Sequence, residues 1–135
     1  MDVQEYFEVH STMGHVLHAE MKGFWSDRNI DEIGGEFLAQ FKAAVDDVSS
    51  HGPFVVLADL AELAVLTKRG RAFLTQAMAY ASDHGLHKAI EVIPNAITTL
   101  SANEAAQHSD KGNFRVVVKS FEEAERLVEQ FKEEL

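Results

Sequence analysis

A chain of 135 residues is long enough for one continuous hydrophobic core and short for two, and its 46% of hydrophobic residues is the composition of a folded protein, not a disordered one. The formal net charge of -10 disfavours duplex nucleic acid and anionic membranes as partners, because both are polyanions that select for basic surfaces. The absence of cysteine removes disulfides, thiol nucleophiles and thiolate metal sites together.

Tyr6, Phe7 and Val9 open a short strand, Ser11 to Gly14 read as its turn, and His15 to Gly23 form a second run. There Val16, His18, Glu20 and Lys22 share one face and Leu17, Ala19 and Met21 the other, the period of a β-hairpin strand. No basic stretch followed by an apolar run marks residues 1–20 as a signal peptide, and no segment approaches the roughly 20 apolar residues of a membrane span, so a cytoplasmic protein without membrane insertion is expected.

A first helix is predicted from Asn29, which with Glu32 has the spacing of a capping box. Ile30, Ile33, Phe37, Phe41, Val45 and Val48 recur on one helical face and predict packing against a sheet. Gly34 and Gly35 interrupt that face at about 1 kcal/mol each relative to alanine, a cost that close approach of a neighbour would explain. His51-Gly52-Pro53 stops the helix, and the unbroken apolar run Phe54 to Leu60 predicts a central strand covered on both faces and closed by Asp59.

A second helix is predicted from Thr67 to His84, with Phe73, Ala77, Tyr80 and Ala81 at helical spacing and Gly85 as its left-handed stop. Lys88 to Ile93 reads as a strand, residues 96–110 as a polar helix, and Asn113 to Lys119 as a last strand. Ser120 and Glu123 then form a capping box opening a helix with the stripe Phe121, Ala124, Leu127, Val128 and Phe131. The order β-β-α-β-α-β-α-β-α predicts one α/β domain over residues 1–135, with a mixed, mostly parallel sheet, an antiparallel N-terminal hairpin and helices covering the sheet.

That order, the opening hairpin, the Val55-Val56-Leu57-Ala58-Asp59 strand and the closing Ser120-Phe121-Glu122-Glu123-Ala124-Glu125-Arg126-Leu127 helix together resemble the SpoIIAA-like branch of the STAS superfamily, domains of anti-sigma-factor antagonists. The resemblance implies a regulatory module and places a phosphorylatable Ser or Thr between the central strand and the next helix. The corresponding stretch here, Asp59 to Gly70, keeps the acidic residue but lacks a Ser-Ser pair, and only Thr67 stands near the phosphoacceptor position.

Thr67 also has the ordinary role of a helix N-cap. Lys68, Arg69 and Arg71 put three cations at a helix start, where they oppose the macrodipole unless an anion or an acidic partner meets them. Asp59, at the carboxyl edge where open α/β sheets bind ligands, competes with a bland role in capping the following loop. These five residues are the candidate ligand- or partner-binding set. His10, His15 and His18 cluster in the hairpin, with His10 facing His15 if the turn has four residues, but His15 and His18 point to opposite faces and no metal site is expected.

The other aromatics, Phe24 and Trp25 among them, fall mostly on core stripes. No nucleophile elbow, phosphate loop, dinucleotide fingerprint or zinc motif occurs, so no catalytic residue and no cofactor is expected. The sequence therefore points to a non-enzymatic binding or regulatory module acting through a protein partner or a small anionic ligand at the start of the second helix. The alternative is a carrier of an apolar or lipid-like ligand between sheet and helices; homo-oligomerisation stays open.

Overall fold

The computed structural model describes residues 2–12, 15–64, 67–93 and 115–135. After a 3-10 turn at Val3–Glu5, strands β1 (Phe7–Thr12) and β2 (Val16–Gly23) form the expected antiparallel hairpin. Helix α1 (Ile30–Ser49), β3 (Phe54–Leu63), α2 (Lys68–Asp83), β4 (Leu86–Val92), β5 (Arg115–Val118) and α3 (Phe121–Lys132) follow. The polar helix expected over 96–110 lies outside the described residues, as do positions 113 and 114.

The strands lie in the order β1-β2-β3-β4-β5, with β2 to β5 parallel. Because α1 and α2 each cross between neighbouring parallel strands in the same direction, the single hand of such crossovers puts both on one face. Phe37, Phe41 and Val45 of α1 and Leu74 and Ala77 of α2 there bury Leu17, Ala19 and Met21 of β2 and Val56 of β3. The opposite face carries Val16, Val55, Leu57, Ile90 and Val92 and meets α3 through Ala124, Val128 and Phe131. Helix α3 packs chiefly against β3, β4 and β5, so among the described residues the β1–β2 half of that face is covered less, with Val16 at the margin of the α3 contact.

At Gly34 the Phe73 side chain of α2 packs directly on α1. A Cβ at that position would stand 2.7 Å from Cγ of Phe73, whereas one at Gly35 would meet nothing within 4 Å. The close-approach explanation thus holds for the first glycine only. Gly85 has φ +103, the left-handed stop that ends α2, and its carbonyl accepts the Phe54 N–H at 3.3 Å, tying the amino ends of β3 and β4 together.

Three local expectations are corrected. Asn29 is the N-cap of α1 but its side chain makes no cap bond; its Nδ2 donates instead to the Phe24 carbonyl at 3.2 Å. The carbonyl of Ser26 accepts from both Asn29 and Ile30 N–H, so the preceding turn closes on itself. Strand β3 continues past Asp59 to Leu63, because Lys22 and Gly23 of β2 pair with Glu62 and Leu63 beyond the apolar run. In the hairpin His10 pairs with His18, not His15, since the strands are joined by three residues and His15, at φ 71, belongs to the turn.

Candidate functional site

The loop from β3 brings the chain to α2 at the carboxyl edge of the sheet. Thr67 is the N-cap: its Oγ1 accepts the Gly70 N–H at 3.1 Å and lies 3.4 Å from the Trp25 carbonyl. The hydroxyl thereby joins the start of α2 to the segment leaving β2. Trp25 itself is wholly buried, its Nε1 donating to the Lys22 carbonyl at 3.2 Å, and it packs edge-on against Phe7 and Phe37.

Phe24 is turned the other way. It stands 54% exposed beside that buried tryptophan, against the expectation that the aromatics there fill the core. Two adjacent aromatics at a strand exit point to opposite sides, and only one of them reaches the interior.

The first turn of α2 holds Lys68, Arg69 and Arg71 and no acid. Arg69 donates through Nη2 to Oδ1 of Asp31 in the first turn of α1, an exposed pair that neutralises one of the three cations. Lys68 is exposed and Arg71 half-buried, and with Ala72, Thr75 and Gln76 the cations border an open depression of about 730 Å³. The predicted set is thus split. Thr67, Lys68, Arg69 and Arg71 gather at one helix start, and the exposed Phe24, which the sequence did not single out, immediately precedes the Trp25 whose carbonyl Thr67 approaches.

Asp59 lies elsewhere. It shares the α3 side of the sheet with Val55 and Leu57, stands in register with Glu20 of β2 and Val92 of β4, and its Oδ1 accepts the Ala61 N–H at 3.0 Å. It borders a depression of about 190 Å³ with Glu8, His10, His18 and Glu20. The His10 and His18 rings stack there at 5.0 Å with 4° between their planes. Burial, with a smaller contribution from His10, holds the His18 imidazole below its ordinary pKa.

Parallel stacked rings do not converge on one point, and no group of three or more His, Asp or Glu among the described residues is arranged to hold a metal ion. Between the sheet and the α1–α2 layer the space closes to about 40 Å³, lined by Phe37, Val56 and Leu74 among others. A drug-sized ligand needs roughly 300–1,000 Å³, so the space on the α1–α2 side of the sheet is too small for the ligand of the carrier reading. No helix among them is long and apolar enough to cross a membrane.

The sheet also buries an ion pair invisible in the local sequence. Glu91 of β4 is 4% exposed and accepts from Nε of Arg115 on β5, on the face under α1 and α2. Burial pushes its carboxyl above the usual carboxylate range, and the guanidinium offsets part of that shift.

Among the described residues a mixed five-stranded sheet in sequential order, with two crossover helices on one face and a C-terminal helix on the other, gives a SpoIIAA-like α/β fold. The solved structures it resembles include the anti-sigma factor antagonist SpoIIAA in its unphosphorylated form, at a TM-score of 0.55 and 13% identity over 92% of this chain and 96% of that one. The Bacillus cell fate determinant SpoIIAA in its phosphorylated form superimposes at a TM-score of 0.51, also at 13% identity, over 90% and 98% of the two chains. No family model and no curated protein matches the sequence.

Proposed function

We infer that this chain is a non-enzymatic binding module whose surface at the carboxyl edge of the sheet, formed by Phe24 and the first turn of α2, engages an acidic segment of a regulatory protein partner. The observation that carries the reading is a helix start bearing Lys68, Arg69 and Arg71 and no acid, tied through Thr67 to the carbonyl of Trp25, the residue that follows the exposed Phe24. An exposed aromatic supplies apolar contact area, and the cations at the positive end of the α2 dipole supply complementarity to carboxylates. The fold supports it further, because SpoIIAA, which shares it, is an anti-sigma factor antagonist.

Thr67 separates this chain from a serine-switched version of the same surface. Its hydroxyl holds the Gly70 N–H, so its first role is to cap α2 and fix the cations in place. A protein partner is favoured over a small anion because the depression beside the cations is open and shallow, and its walls are one helix face.

The test is affinity capture from a native lysate with the full chain as bait, quantified against Lys68→Glu/Arg71→Glu and Phe24→Ser baits of equal thermal stability. A partner lost at least tenfold by both variants supports the reading. Recovery of the same proteins at the same level by all three baits overturns it.

A further inference from the structure

The two depressions on the α3 side of the sheet are one groove. That bordered by Asp59 and that running along α3, about 190 and 550 Å³, share His18, Leu57 and Phe121. Its floor is apolar, made by Val16, Leu57 and Val128, and Phe121 stands over it 44% exposed at the first position of α3. The groove exists because α3, following the edge strand β5, covers chiefly the β3–β5 half of this face.

The charges along it have one sign in excess. Glu8, Glu20 and Asp59 lie at its sheet end, and Glu125 and Glu129 follow on α3. Lys22 pairs with Glu20 at 3.4 Å and Lys132 with Glu129 at 3.6 Å. Among the described residues Glu8, Asp59 and Glu125 have no ion-pair partner, and Arg126 is the cation left to oppose them.

We propose that this groove is a second binding surface, which takes a cationic peptide segment of a protein partner, its apolar side chains seated on Val16, Leu57 and Val128 against Phe121 and its lysines or arginines meeting Glu8, Asp59 and Glu125. Charge complementarity selects that occupant. A second copy of this chain, itself at -10, would bring like charge to an acidic rim, and an anionic membrane would do the same. The groove is independent of the surface at Phe24 and Lys68, which carries the opposite charge.

The full-length protein is titrated, at low salt, into a labelled 12-residue Leu/Lys peptide, with a Leu/Glu peptide of the same pattern, a Ser/Lys peptide and spermidine as comparisons. The Leu/Lys peptide binds, shifts the amide resonances of Val16, His18 and Leu57, and binds at least tenfold more tightly than the other three. Two exposed carboxylates removed together, in Glu8→Gln/Glu125→Gln, weaken it by about tenfold, while Glu32→Gln/Glu36→Gln on α1 removes the same charge and leaves affinity unchanged.

The proposal is overturned if no binding is detected, if Leu/Glu, Ser/Lys or spermidine binds as well, or if the two double variants lose affinity equally. Resonance shifts at Phe24 and Lys68 in place of the groove would also overturn it, while leaving the carboxyl-edge reading standing.

Discussion

The Phe73 ring of α2 lies against the α-carbon of Gly34 in α1, so closely that a methyl group at position 34 would fall within 2.7 Å of ring atom Cγ. This contact sets the distance between the two helices that cover one face of the sheet. Through α2 it also fixes where the cations at its start stand. Gly34→Ala is expected to overpack the junction and cost about 1–3 kcal/mol. Gly35→Ala, one residue away with nothing within 4 Å, gains about 0.5–1 kcal/mol by stiffening the unfolded chain. Thermal melts of the two variants should therefore move in opposite directions, by about 3–5 °C per kcal/mol in a chain of this size. Equal shifts would show that the helix junction has slack.

Thr67 joins two elements through one oxygen, accepting from Gly70 N–H and approaching the Trp25 carbonyl. Thr67→Ala is expected to cost about 1 kcal/mol, as loss of an N-cap usually does, and Thr67→Ser to restore most of it. Thr67→Val keeps the volume but loses both polar contacts, so it should be at least as unstable as the alanine variant. Urea midpoints of the three variants separate capping from packing, because a packing role would rank valine first.

The elements with a short-range signature were readable from the sequence. Alternation in β2 sorted Val16 from Leu17, the three-and-four spacing in α1 gave its buried face, and Ser120 does accept the Glu123 N–H that its capping position implies. What failed depended on partners distant in the chain. Asn29 had the spacing of a capping box, but the turn before it offered the Phe24 carbonyl first. The apolar run of β3 ended at Leu60, yet pairing with Lys22 and Gly23 carried the strand on to Leu63. His10 met His18 because the register follows from the turn length, and Phe24 and Trp25 could not be assigned to opposite sides without knowing what lay over each. The groove beneath Phe121 follows from which half of a sheet α3 covers, and no local pattern encodes that.

The Glu91–Arg115 pair joins β4 and β5 inside the protein, and its two partners should respond very differently to removal together or singly. Replacing Arg115 by Met leaves a buried carboxylate and is expected to cost about 3–5 kcal/mol, whereas Glu91→Leu/Arg115→Met removes both charges and should come close to wild type. The pH dependence has a definite sign. Burial raises the Glu91 pKa in the folded state, so the folded protein binds that proton more tightly than the unfolded chain does. Its contribution therefore favours folding below the ordinary carboxylate range and is lost as pH rises through the folded-state pKa. Glu91→Gln should flatten that part of the stability profile, measured by urea unfolding from pH 4 to 7, and an unchanged slope would place the titration elsewhere.

His18 works in the opposite direction and at a different pH. Its folded-state pKa is lowered, chiefly because it is half-buried in the groove and secondarily because the His10 ring is stacked on it. The unfolded chain then takes up the proton first as pH falls. Stability present above the ordinary histidine range declines through that range and is lost by the folded-state value. Glu8, Glu20 and Asp59 border the same depression and favour the protonated ring, so a lowered His18 pKa requires that burial outweigh them. Ring-proton NMR titration should give His18 a midpoint below 6.5, its ordinary value. His10→Ala removes the smaller cause, and should move that midpoint part of the way back up. If His10→Ala lowers it instead, the stacked His10 ring stabilises the His18 imidazolium, and the repulsion assigned to it is wrong.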